Sequence, residues 1–192
     1  MDVDCGQAFT APVWTLPSRR DVLNQETALL SPHIRQCIAF LKRVDQLRVR
    51  PGHSSKTFRI EVSLDATSDN TSASFSVDPT LDELKELRFV LVHWTSKHEQ
   101  LHARYGVGPC TFCKEFTSSE AQAKWPKTGL GSLLSSASKR AEALESCLMQ
   151  YIDVARGPSL LVRRGAVRCE GIEHVPSILC RFLLKDVDQS TI

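Results

Sequence analysis

Between Lys56 and Tyr105 the spacing of apolar residues changes from every second position to every third or fourth. In Lys56-Thr-Phe-Arg-Ile-Glu-Val-Ser-Leu64, Phe58, Ile60, Val62 and Leu64 alternate with polar residues, and Ala73, Phe75 and Val77 do the same after a Ser/Thr/Asp-rich loop. Alternation puts one face of each run in a core and the other in water, so the two runs predict an antiparallel hairpin joined by the Asp65 to Thr71 loop. From Thr80 the period lengthens: Leu84, Leu87, Leu91, Trp94, His98, Leu101 and Tyr105 form one stripe of a helix. Thr80-Leu-Asp-Glu83 opens it with capping-box spacing, and Gly106 and Gly108-Pro109 end it.

Two further helices are expected. Ser31-Pro32 supplies a cap and a first-turn proline for one running to about Arg48, with Ile34, Cys37, Ile38, Leu41, Val44 and Leu47 inward. The other spans about Ser132 to Val154, with Leu133, Ala137, Ala141, Leu144, Leu148 and Tyr151 inward, and stops at Gly157-Pro158. The apolar runs Leu160 to Val167 and Ile178 to Leu184 are expected as strands, with Pro176 able to start a short helix instead. The expected fold is therefore α+β, three main helices on a small, mostly antiparallel sheet. Residues 1–21 have no period and contain Pro12 and Pro17, so they form an irregular arm before a single domain over 22–192.

At 192 residues and 42% hydrophobic composition, such a domain can bury a core without disulfide or metal staples. No window approaches the roughly 18 uninterrupted apolar residues of a membrane span, and the acidic N-terminus lacks a secretory signal pattern. An intracellular, cytoplasmic address is expected, where the seven cysteines would be thiols, ligands or core residues. Cys37, Cys147 and Cys180 lie among Ile, Leu or Phe and are assigned to the core.

Reactive side chains concentrate between His93 and Cys113, which holds three of the six histidines. His98 and His102, four apart, present two nitrogens from one helical face. Cys110 and Cys113, on a turn behind two glycines and a proline, could close a tetrahedral zinc site with them. The competing use is H-E-x-x-H as a hydrolase motif, with Glu99 as general base and a third ligand from His174, Asp186 or Glu170. The longer metzincin pattern is absent, and a redox role for C-x-x-C is disfavoured because the pair follows a helix rather than a strand. The bland alternative is that His98 is a core histidine, His93 and His102 face water, and no metal binds.

Arg88-Phe-Val-Leu-Val-His93 is similar, over six residues, to the R-x4-H motif of the HEPN ribonucleases. That resemblance implies an all-α bundle in which Arg88 and His93 act on RNA. The hairpin, and Phe89 where a polar residue is usual, depart from it.

The net charge of +2 names no partner. Lys42, Arg43, Arg48 and Arg50 form a local basic cluster that could meet nucleic acid, although cations at a helix C-terminus are favoured by its dipole without any ligand. Arg163, Arg164 and Arg168 would be split between the faces of a strand. Phosphate-loop, dinucleotide and nucleophile-turn signatures are absent. With no convincing catalytic set, the expected function is a non-enzymatic intracellular binding module for a protein partner, carrying a zinc site at His98, His102, Cys110 and Cys113. The alternative is a zinc-dependent hydrolase.

Overall fold

A computed structural model describes residues 30–54, 56–65, 73–104, 110–126, 136–157 and 169–187, except the side chains of 98–104. Its described elements are α1 (Pro32–Arg43), β1 (Val44–Pro51), β2 (Phe58–Leu64), β3 (Ala73–Val77), α2 (Leu81–Arg104), α3 (Thr111–Gln122), α4 (Ala137–Arg156) and α5 (Glu170–Leu183). The expected α+β class is borne out, with five described helices on a three-stranded antiparallel sheet ordered β1-β2-β3. The N-terminal arm and the run from Leu160 to Val167 lie outside the described residues.

The local signals work where they were expected to. Ser31 caps α1 by accepting from the Ile34 N–H, and Pro32 follows as a first-turn proline. At the start of α2, the Glu83 carboxylate accepts from the Thr80 N–H at 2.7 Å while the Thr80 hydroxyl accepts from the Glu83 N–H at 3.2 Å. The hairpin register sets Ile60 opposite Val77, Val62 opposite Phe75 and Leu64 opposite Ala73. Its inward side chains, with Leu47 and Val49 of β1, meet Leu41, Leu84, Leu91, Leu144, Leu148, Ile172 and Leu179 in one core. Each such side chain contributes about 1.5–3 kcal/mol by leaving water.

Two expectations are corrected. The first helix stops at Arg43 rather than near Arg48, and Val44–Pro51 is the third strand. Val44 and Leu47 fit a helical stripe, but Leu47 and Val49 also alternate with Gln46, Arg48 and Arg50. Pairing Leu47 with Val62 and Val49 with Ile60 gives β2 its second neighbour, and that long-range ladder decides the ambiguity. The outer edge of β1 is closed by α4: Glu145 accepts from the Val49 N–H at 2.8 Å, and Arg156 donates to the Val44 carbonyl.

Ile178 to Leu184 is not a strand. Its residues through Leu183 belong to α5, which carries Pro176 inside it. Ile172, Val175, Leu179 and Leu183 make a three- and four-residue stripe that buries against α1 and α2, and this outweighs the backbone hydrogen bond Pro176 cannot donate. An additional helix, α3, occupies a stretch with little visible periodicity; Phe112, Cys113 and Phe116 are its buried face. The expected third long helix is found as Ala137–Arg156, with Ala141, Leu144, Leu148 and Tyr151 inward.

Candidate metal centre

Cys110 and Cys113 lie on the opening of a helix rather than on a free turn. Cys110 is the N-cap of α3, and its sulfur accepts from the Cys113 N–H at 3.4 Å. Cys169 is the N-cap of α5 in the same manner, accepting from the Ile172 N–H at 3.5 Å. Packing of α3 and α5 against α2 brings these two N-termini together. The Cys169 sulfur is then 3.3 Å from that of Cys110 and 3.5 Å from that of Cys113, and all three lie within 4.8 Å of one another.

These separations suit a metal ion better than a disulfide. Bonded sulfurs stand about 2.05 Å apart. Four ligands on a tetrahedron with zinc–sulfur bonds of about 2.3 Å have sulfurs roughly 3.8 Å apart, and the 3.3 and 3.5 Å separations fall a few tenths of an ångström short of that value. Cys110, Cys113 and Cys169 therefore form a group able to hold a metal ion. Two helix N-termini aim their positive dipole ends at it, which favours thiolates over thiols. Without a cation the proximity acts the other way. Hydrogen bonding with Cys110 foremost, then with Cys169, pushes the Cys113 thiol up, and hydrogen bonding with Cys110 foremost pushes Cys169 up to about 12, with burial acting in the same direction on both.

Of the residues singled out by sequence, Cys110 and Cys113 are in the cluster. His98, Glu99 and His102 lie on the last turns of α2, whose end at Arg104 precedes Cys110 by six positions; their side chains lie outside the described ones. None of the three further ligands considered for a hydrolase joins the sulfurs. His174 stacks on Trp94 with ring centroids 3.7 Å apart, Glu170 pairs with Lys97 at 3.4 Å, and Asp186 is exposed beyond the end of α5. Arg88, the first residue of the ribonuclease-like motif, is committed to Glu120 at 2.7 Å, and the sheet departs from the all-α fold that motif implied.

Cys169 was missed. Its sequence signal is that it alone of the later cysteines is flanked by charge, Arg168 and Glu170, and so is no obvious core residue. Gly171, two positions on, belongs to the same arrangement. A Cβ there would stand 2.8 Å from the Cys113 sulfur and 3.6 Å from that of Cys169, so only glycine lets α5 approach this closely. When zinc is titrated into the protein, Gly171→Ala is expected to bind it about 10- to 100-fold more weakly than wild type at these sulfurs, the usual scale for disturbing a residue that backs metal ligands. Competition with a chromogenic chelator measures it, and unchanged affinity would show that the crowding is relieved elsewhere.

Among the described residues no helix is long and apolar enough to cross a membrane. Comparison with protein-family models, with curated proteins and with solved structures finds no match to this chain.

Proposed function

We propose that the chain is a non-enzymatic binding module whose α-helical layer is tied together by a structural zinc ion held by the thiolates of Cys110, Cys113 and Cys169. The supporting observation is the convergence of three sulfurs from two helix N-termini at metal-ligand spacing. The fourth ligand is assigned to the C-terminal part of α2, to His102 or His98, giving the Cys3His set common in closed structural sites. A thiolate-rich, closed shell leaves no open position for water, which disfavours the hydrolase alternative with Glu99 as base. On this reading Glu99→Gln leaves metal content and folding unchanged.

A protein partner is proposed for the outer side of α2 and α5. Phe89 of α2 is 66% exposed, and a separate groove between α2 and α5 is lined by Leu87, Val90, Ile178 and Phe182 together with the charged Glu83, Glu86, Arg181 and Lys185. Nucleic acid is the lesser proposal: Lys42, Arg48 and Arg50 are exposed, but Glu61 pairs with Arg50 at 3.3 Å and Asp78 neutralises neighbouring Arg59.

The test is the metal content of tag-free protein after dialysis against a weak chelator, measured by inductively coupled plasma mass spectrometry. One zinc per chain is expected, lost in Cys113→Ser and Cys169→Ser and retained in Cys147→Ser, whose thiol is buried elsewhere in the core. A metal-free wild type, or a Cys169→Ser protein that keeps its zinc, overturns the assignment.

A further inference from the structure

A second thiol site lies where α1 crosses α5, built from residues that the zinc centre does not use. His33 and Cys37 are one turn apart on α1, with the imidazole Nε2 3.7 Å from the Cys37 sulfur. The same Nε2 is 3.0 Å from the hydroxyl of Ser177 on α5. Three residues further along α5 stands Cys180. Starting from the His33 to Ser177 contact, one turn forward on each helix therefore leads to Cys37 on one side and Cys180 on the other. The two thiols interact across the interface.

We propose that Cys37 and Cys180 are a peroxide-sensitive thiol pair, with His33 Nε2 as the base that takes the Cys37 proton and the Ser177 hydroxyl as the acceptor for the N–H so formed. The oxidant is hydrogen peroxide. The Cys37 thiolate attacks the distal peroxide oxygen, forming an S–O bond as the O–O bond breaks, and the leaving hydroxide takes a proton to become water. The Cys180 thiol then attacks the sulfur of the Cys37 sulfenic acid, forming the S–S bond as the S–O bond breaks, and its proton passes to the departing hydroxide to make the second water. Two thiols lose two electrons and two protons in all, and the peroxide is reduced to two waters. The product is a covalent link between α1 and α5.

The environment separates the roles of the two sulfurs. A hydrogen bond from Cys180, with the nearby His33 charge acting the same way against burial, brings Cys37 down to about 7, and the same contact with burial pushes Cys180 up. Cys37 is the thiolate and Cys180 the hydrogen-bond donor that becomes the resolving thiol. Cys37 is 3% exposed, but it lies between the exposed His33 and the half-buried Cys180, which supply the approach. Cys147 provides an internal control, since burial pushes it up to about 11 and no histidine faces it among the described contacts.

The experiment uses the full chain with its metal content as purified. After stoichiometric hydrogen peroxide, blocking of free thiols and tryptic digestion without reductant, peptides 36–42 and 169–181 are expected to be joined. Fragmentation should place the link at Cys180 rather than Cys169, and dithiothreitol should reverse it. In Cys180→Ser the sulfenic acid on Cys37 should persist and be captured by dimedone. His33→Ala should slow Cys37 alkylation at neutral pH by about tenfold, the fall in thiolate fraction for one unit of pKa, without changing that of Cys147. A Cys37 that resists peroxide, or is alkylated no faster than Cys147 in the wild type, overturns the proposal. So does a link that avoids Cys180. None of these outcomes depends on whether zinc is bound at Cys110, Cys113 and Cys169.

Discussion

On the structural-zinc reading proposed above, removing the ion from the folded protein is expected to lower its thermal midpoint by roughly 5–11 °C. A ligand present at 100 times its dissociation constant stabilises the state it binds by about 2.7 kcal/mol, and for a chain of this size each kcal/mol moves the midpoint by about 2–4 °C. The loss should be local first. Cys110 and Cys169 cap α3 and α5 through sulfur contacts of 3.4–3.5 Å, so without the ion the first turns of both helices start from crowded thiols rather than from metal ligands. Hydrogen exchange should therefore rise there before it rises in the sheet. The metal-free form holds its thiols protonated, Cys113 and Cys169 above their ordinary range, so zinc must displace protons and its affinity must fall as the pH falls. Differential scanning calorimetry with and without chelator, for wild type and Cys169→Ser, checks the magnitude. A midpoint indifferent to chelator in a protein that contains zinc would mean that the ion contributes nothing to the fold.

Two of the three sulfurs of this centre were legible in the sequence, and the third was not because of distance along the chain. Cys110 and Cys113 announce themselves because C-x-x-C is a local pattern. Cys169 is 56 positions beyond Cys113 and reaches the cluster only because α3 and α5 share α2 as a neighbour. The fold divides in the same way. The Thr80–Glu83 capping box, the Ser31-Pro32 start and the β2–β3 hairpin are set by neighbours in sequence, and each forms where its signal stands. Val44–Pro51 and Ile178–Leu183 are apolar runs compatible with either period. The first becomes a strand because β2 has an unpaired edge, and the second a helix because its stripe continues that of Ile172 and Val175. No local count of residues contains those partners.

Glu120→Ala is expected to destabilise the protein by about 2–3 kcal/mol, because this carboxylate joins three helices. It lies in the last turn of α3 with its side chain 12% exposed, accepts from Arg88 of α2 at 2.7 Å, and accepts the hydroxyl hydrogen of Tyr151 of α4. Tyr151 is fully buried, with ring centroids 5.1 Å from Phe116 and 6.4 Å from Trp125, so its hydroxyl depends on Glu120 for an acceptor. Burial first, and then the hydrogen bond to Glu120, push that phenol well above its usual range, which keeps it a donor at any working pH. Leaving such a donor unsatisfied costs about 1–3 kcal/mol, whereas Arg88 is 41% exposed and can turn to water, so its half of the interaction adds little. Tyr151→Phe alone should cost about 1 kcal/mol, since Glu120 keeps Arg88. The double variant should then be more stable than the sum of the two single losses, because neither partner is left stranded. Urea denaturation of the four proteins measures this coupling. Strictly additive losses would show that the contact between Tyr151 and Glu120 is incidental and that α2, α3 and α4 are held together by their apolar faces alone.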